Sequence, residues 1–235
     1  MKTIKLFLST VIIFSFVLSF NNIIAQELSV GADIVSKYMW RGLEVNKAPN
    51  IQPSMNLNVS GFDIGLWGSY SISDTEPGSY GHEIDGYIGY TATTESGDFG
   101  LLLTDYYFPT AGIHVGNFEG EGTGAHTLEL SASYSGPISL MFAYNIHNDP
   151  GNNMYFQAGY STAVGDVGLD LFVGGTAGSE DNPGYYGSEN FAIINVGITG
   201  SKTIKVTDTF ELPVFTSFIL NPKAEIGYLV FGISF

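Results

Sequence analysis

Four histidines, His82, His114, His126 and His147, are the side chains best suited to acid–base or metal chemistry in this 235-residue chain, which has no cysteine. None stands in a His-Glu-x-x-His run, no two are spaced with a carboxylate as metal ligands, and no Gly-x-Ser-x-Gly elbow occurs. His147, followed by Asn148 and Asp149, could be imagined as part of a lipid-hydrolase group. The simpler reading is a polar turn opening Asp149-Pro150-Gly151. Glu119, Glu121, Glu180, Asp181 and Glu189 gather in two glycine-rich stretches, where oxygen ligands could hold Ca²⁺. No EF-hand pattern appears there, and a solvated, self-repelling surface suffices. The sequence thus points to no catalytic residue, no cofactor and no metal site.

Acids outnumber bases, 23 Asp and Glu against 8 Lys and Arg, for a net charge of −15. Nucleic acid, which needs a basic face, is excluded as a partner. Many of these acids fall inside segments of alternating polarity, so their placement depends on what those segments build.

The last segment, Ala224 to Phe235, alternates strictly: Leu229, Phe231, Ile233 and Phe235 on one side, Tyr228, Val230, Gly232 and Ser234 on the other. That is the strand period, and about 9–11 residues is the length with which a tilted strand crosses a bilayer. An apolar row ending in a terminal phenylalanine looks like an assembly signal for bacterial outer-membrane barrels, which assigns that role to Phe235. At the other end, Lys2 and Lys5 precede an apolar run from Leu6 to Phe20 and a weaker tail to Ala25. Residues 1–25 read as a secretory signal peptide, leaving 26–235 as one domain.

Eleven further segments alternate, at about 27–38, 50–60, 62–73, 82–93, 98–108, 126–135, 138–147, 153–163, 166–176, 190–201 and 209–220, so the chain is expected to form twelve strands. An even number returns both ends to one side. The links alternate long and short, except that 202–208 exceeds 221–223. The fold class is therefore all-β: an antiparallel transmembrane β-barrel of the outer-membrane type. Leu101-Leu102-Leu103 blurs the register of one segment and suggests a bulge near Asp105. Pro213 is expected to cost a ladder hydrogen bond. Tyr38, Tyr70, Tyr90, Tyr134, Tyr144 and Tyr160 sit near strand ends, as interfacial girdles require.

Alternation alone does not say which face points outward. With the apolar rows facing lipid, Asp33, Asp63, Glu83, Asp85, Glu129, Asp170 and Glu211 point into the lumen, beside Trp67 and with Lys37 as the clear inward cation. Acid-lined pores select by sign and favour cations. The expected partners are outer-membrane lipids, the barrel-assembly machinery and small polar solutes. Tyr87, Gln157 and Trp67 could instead fill the lumen of a structural or adhesive barrel.

Several stretches match a known family in order: Ser36-Lys37-Tyr38-Met39-Trp40-Arg41-Gly42-Leu43, Gln52-Pro53-Ser54, Trp67-Gly68-Ser69-Tyr70, Glu83-Ile84-Asp85, Thr104-Asp105-Tyr106-Tyr107-Phe108-Pro109, His126-Thr127-Leu128-Glu129, Leu212-Pro213-Val214 and Phe231-Gly232-Ile233-Ser234-Phe235. Together they resemble the TorF-type outer-membrane porins, also catalogued as conserved bacterial proteins of unknown function. The resemblance implies an outer-membrane β-barrel that passes small hydrophilic solutes, and it supplies neither a substrate nor catalytic residues.

Overall fold

A computed structural model describes residues 26–73, 80–178 and 184–235. Residues 1–25, expected to be a signal peptide, and the acids Glu180 and Asp181 lie outside the described residues. Twelve antiparallel strands close a barrel: β1 (Gln26–Val35), β4 (Asn50–Val59), β5 (Phe62–Ser71), β6 (His82–Thr94), β7 (Gly97–Tyr107), β8 (His126–Ser135), β9 (Ser139–His147), β10 (Met154–Val164), β11 (Val167–Thr176), β12 (Ala192–Lys205), β13 (Glu211–Asn221) and β14 (Ile226–Ser234). Each pairs with its chain neighbour, and β14 returns to β1. A separate two-stranded hairpin, β2 (Tyr38–Trp40) and β3 (Leu43–Asn46), occupies the first long link.

The apolar rows face outward. Leu28, Val30, Phe62, Leu101, Leu229 and Phe231 are all exposed, whereas Ala143 and Tyr155 are completely buried inside. Water would penalise so large an exposed apolar surface, and lipid would not. Among the described residues no helix is long and apolar enough to cross a membrane. Inside, polar side chains bond across neighbouring strands, as Thr199 does to Ser217 at 2.7 Å and Asn56 to Asp63 at 2.9 Å.

Several local expectations change. The first strand stops at Val35, before Tyr38, which enters the hairpin and is buried against Trp67 with ring centres 5.5 Å apart. Tyr38 is thus no girdle residue, because the chain bends inward at Ser36-Lys37. No bulge forms at Asp105; its register with Gly86 and Leu128 is unbroken. Leu102 can point inward there because Gly89 opposite carries no side chain: a Cβ on it would lie 2.7 Å from the Leu102 side chain.

The bulges fall elsewhere. Gly174 pairs with Asn195 and Gly175 with Ile193, which leaves Ile194 as the extra residue, with its side chain fully buried in the interior cluster. Pro213 pairs with Thr203 on one side, while β13–β14 pairing begins only at Val214, so it sits where that ladder has ended. β12 also runs to Lys205, further than its alternation suggested, and reduces the disputed links to 206–210 and 222–225.

The seam is short. Only Asp33, Ile34 and Val35 are in register with β14, supplemented by paired bonds between Ala32 and Phe235 (3.2 and 3.0 Å).

Candidate functional site

The long links gather at one end of the barrel, and the hairpin of the first folds into that mouth. Its turn, Arg41-Gly42, has φ of 51° and 82°, the doubly positive pair that two-residue hairpins favour. Gly42 is fixed by close approach: a Cβ there would meet the Ile194 carbonyl oxygen at 2.0 Å, and its own carbonyl accepts from Asn221 Nδ2 at 3.1 Å. The tip therefore lies flat against β12 and β13.

Arg41 spans the interior to Glu129 on β8. Nη2 donates to Oε1 at 2.8 Å and Nη1 to Oε2, a bidentate pair with both side chains largely buried. Burial works against the guanidinium charge, but the hydrogen bonds and charge of Glu129 outweigh it and hold Arg41 above its ordinary pKa. Tyr106 Oη donates to the same carboxylate at 3.0 Å. Arg41 also lies over the Trp40 and Tyr155 rings at 4.4 and 4.8 Å. Trp40 in turn stacks on Tyr186 at 5.9 Å and 8°. The hairpin is a plug bound by one buried ion pair and an aromatic cluster.

The lumen acids divide into two groups. Toward the loop end, Glu83 and Asp85 are buried on β6, and Trp67 sits beside Tyr38. Lys37 pairs with Glu44 across the hairpin's base and lies 5.3 Å from the Tyr228 ring centre. Toward the short-turn end, Asp63 accepts from Asn56 and Asn58 (2.9 and 3.0 Å), and Ser161 donates to Asp170. Asp33 is half-buried at the seam, in register with Gln52, and Glu211 is exposed in register with Lys205. Lys37 is thus not the one inward cation. Arg41 lay hidden in a stretch read as loop, although Tyr38 and Trp40 before it and Leu43 and Val45 after it already alternate about an Arg-Gly turn.

Below the plug, bulky inward side chains lie across wall glycines. A Cβ on Gly65 would meet Tyr87 Oη at 2.3 Å, and one on Gly197 or Gly232 would meet the Phe172 or Phe215 ring at 2.4 Å. Gln157, read as a filler, accepts from Tyr155 Oη at 2.6 Å.

Other candidates serve local structure. Asp149 accepts from the backbone N–H of Gly151 and Asn153 and from Asn145 Nδ2 (3.1, 2.7 and 2.9 Å), which organises the turn after His147. His126 touches Asp105 at 2.9 Å and the Val115 carbonyl at 2.7 Å, with Phe118 stacked 4.0 Å away. These contacts pin the 108–125 loop to the rim. Among the described residues no three His, Asp or Glu side chains converge as metal ligands.

Between the hairpin, β6, β7 and the long loops lies a cavity of about 400 Å³. Tyr38, Trp40, Tyr106, Phe108 and Tyr185 supply aromatic walls, and Glu83, Asn145 and Asp149 the polar ones.

Residues 24–210 match the sequence model of a family described as "Bacterial protein of unknown function (Gcw_chp)". No curated protein matches the chain.

Proposed function

The chain belongs to the Gcw_chp family of bacterial proteins of unknown function, and we propose that it is an outer-membrane channel for small hydrophilic solutes, gated by its first loop. The outward apolar rows support residence in the outer membrane, among its lipids, with barrel-assembly machinery as the partner that inserts it. The motifs resembling TorF-type porins point the same way. The reading assigns it no reaction and no cofactor.

The observation that carries this reading is the contrast between wall and plug. The wall is held by main-chain ladders between neighbouring strands, whereas the hairpin belongs to a link and is held inside by side chains, chiefly Arg41 to Glu129. Displacing a link costs far fewer main-chain bonds than opening a wall. Once it moves, the acids Asp63, Asp170, Glu83 and Asp85 line the path. None of them pairs with a cation among the described residues, so the path favours cations and neutral solutes.

The test is conductance of the refolded mature chain in a planar bilayer under a KCl gradient. Brief cation-selective openings that become long-lived in Arg41→Ala support the gate. Silence in both proteins, with a barrel that still resists heat and protease, supports the second reading, a filled barrel with a structural or adhesive role. The packing of Trp40 on Tyr186 favours that alternative.

A further inference from the structure

We propose that the aromatic cavity at the loop end is a binding site for an organic cation, a primary ammonium carrying an apolar body. The inference does not rest on the channel reading, since the cavity exists with the plug in place.

Three observations converge on it. First, its size of about 400 Å³ falls within the range of small-molecule sites. Second, Glu83 on its wall and Asp85 two residues along the same inward face are both buried, 3% and 7% exposed, and neither has a cation among the described residues. Glu129, the nearby acid, is already neutralised by Arg41. A buried acid without a counter-charge is relieved either by a proton or by a bound cation, and Glu83, on the wall, is the one a cation in the cavity would meet. Third, Asn145 lines the cavity and its Oδ1 is buried without a hydrogen-bond partner. An amide oxygen accepts, so a ligand beside it brings a donor.

The walls choose among cations. Tyr38, Trp40, Tyr106 and Tyr185 line the cavity, and aromatic rings attract ammonium groups and cover an apolar body. Ca²⁺ or Mg²⁺ would need six or more oxygens, and among the described residues no three His, Asp or Glu side chains converge. A neutral sugar would stack on the rings but bring Glu83 no counter-charge.

The probe is 2-phenylethylammonium chloride, titrated into the refolded mature chain while following tryptophan emission, with 2-phenylethanol as its uncharged counterpart. Trp40 on the wall and Trp67 behind Tyr38 are the two tryptophans of the chain. Saturable binding of the amine, at least about tenfold tighter than the alcohol, is expected. Glu83→Gln should lose about tenfold for the amine and little for the alcohol, and Asp170→Asn at the far end should change neither. Equal binding of amine and alcohol, or no saturation by the amine, overturns the proposal. The comparison between the two probes needs only the unaltered chain, so it decides the matter even if Glu83→Gln fails to refold.

Discussion

Arg41 Nη2 lies 2.8 Å from Glu129 Oε1 across the barrel interior, joining residues 88 apart in the chain through a pair that neither bulk water nor the strand ladder supports. Removing one partner strands a buried charge. Arg41→Ala or Glu129→Gln should therefore destabilise the docked hairpin by about 3–5 kcal/mol. Replacing both together with apolar residues should recover much of the loss. Limited proteolysis within 36–49, compared between single and double variants, reads the difference.

Gly42→Ala should act at the same place by another route. Its added methyl cannot coexist with the Ile194 carbonyl 2.0 Å away, and its φ of 82° disfavours a side chain. The tip must lift, so this variant should show the protease sensitivity and raised conductance of Arg41→Ala while the barrel keeps its heat resistance. A Gly42→Ala protein as silent and protected as the parent would count against the gate.

Alkaline pH should release the plug through its phenols. Burial outweighs the pull of the Arg41 charge and raises Tyr186 to about 12, and Tyr185 is raised further, again chiefly by burial. A phenol raised on folding adds stability that is complete below the unfolded value near 10 and is lost as pH climbs through the folded one. Hairpin protection should be flat up to about pH 10 and fall between about 10 and 12. Near-ultraviolet phenolate absorbance should show these tyrosines ionising after the exposed ones.

The C-terminal residue has separable roles. Its backbone exchanges two hydrogen bonds with Ala32, 3.2 and 3.0 Å long, at a seam with three residues in register. Phe235→Ala keeps those bonds and should refold in detergent with near-parental heat resistance, yet reach the outer membrane poorly in cells if the ring is the assembly signal. Deleting Phe235 should weaken the barrel in both settings.

Neutralising the lower acids tests selectivity. Asp63→Asn with Asp170→Asn should shift the reversal potential toward zero in a gradient while leaving the gate's kinetics alone, since neither residue touches the hairpin.

Period-two alternation made all twelve staves legible, because each strand has one face in apolar surroundings and the other among polar partners. The interior was less legible. Arg41 and Tyr38 are placed by a hairpin whose strands are 3 and 4 residues long, too brief for alternation to stand out from a loop. The inward turn of Ile194 depends on a bulge set by Gly174-Gly175 on the neighbouring strand, which no periodicity within its own segment encodes. Pairs such as Phe172 and Gly197 are likewise a cross-strand property, visible only once register is fixed.

The brevity of the seam makes this barrel lopsided toward its surroundings. Among the described residues, Gln26 to Val30 pair with β4 and none of them is in register with β14, and Leu28 and Val30 are exposed. Hydrocarbon tolerates unsatisfied main-chain groups poorly, so in the outer-membrane setting proposed above the bilayer should thin beside β1 until headgroups and water reach them. The molecule would then carry a shallow flank and a deep one, and it should tilt so that its shortest side meets the thinnest lipid. Crowded in a membrane, neighbours of matching shallow profile would collect along that flank, giving the barrel a preferred heading.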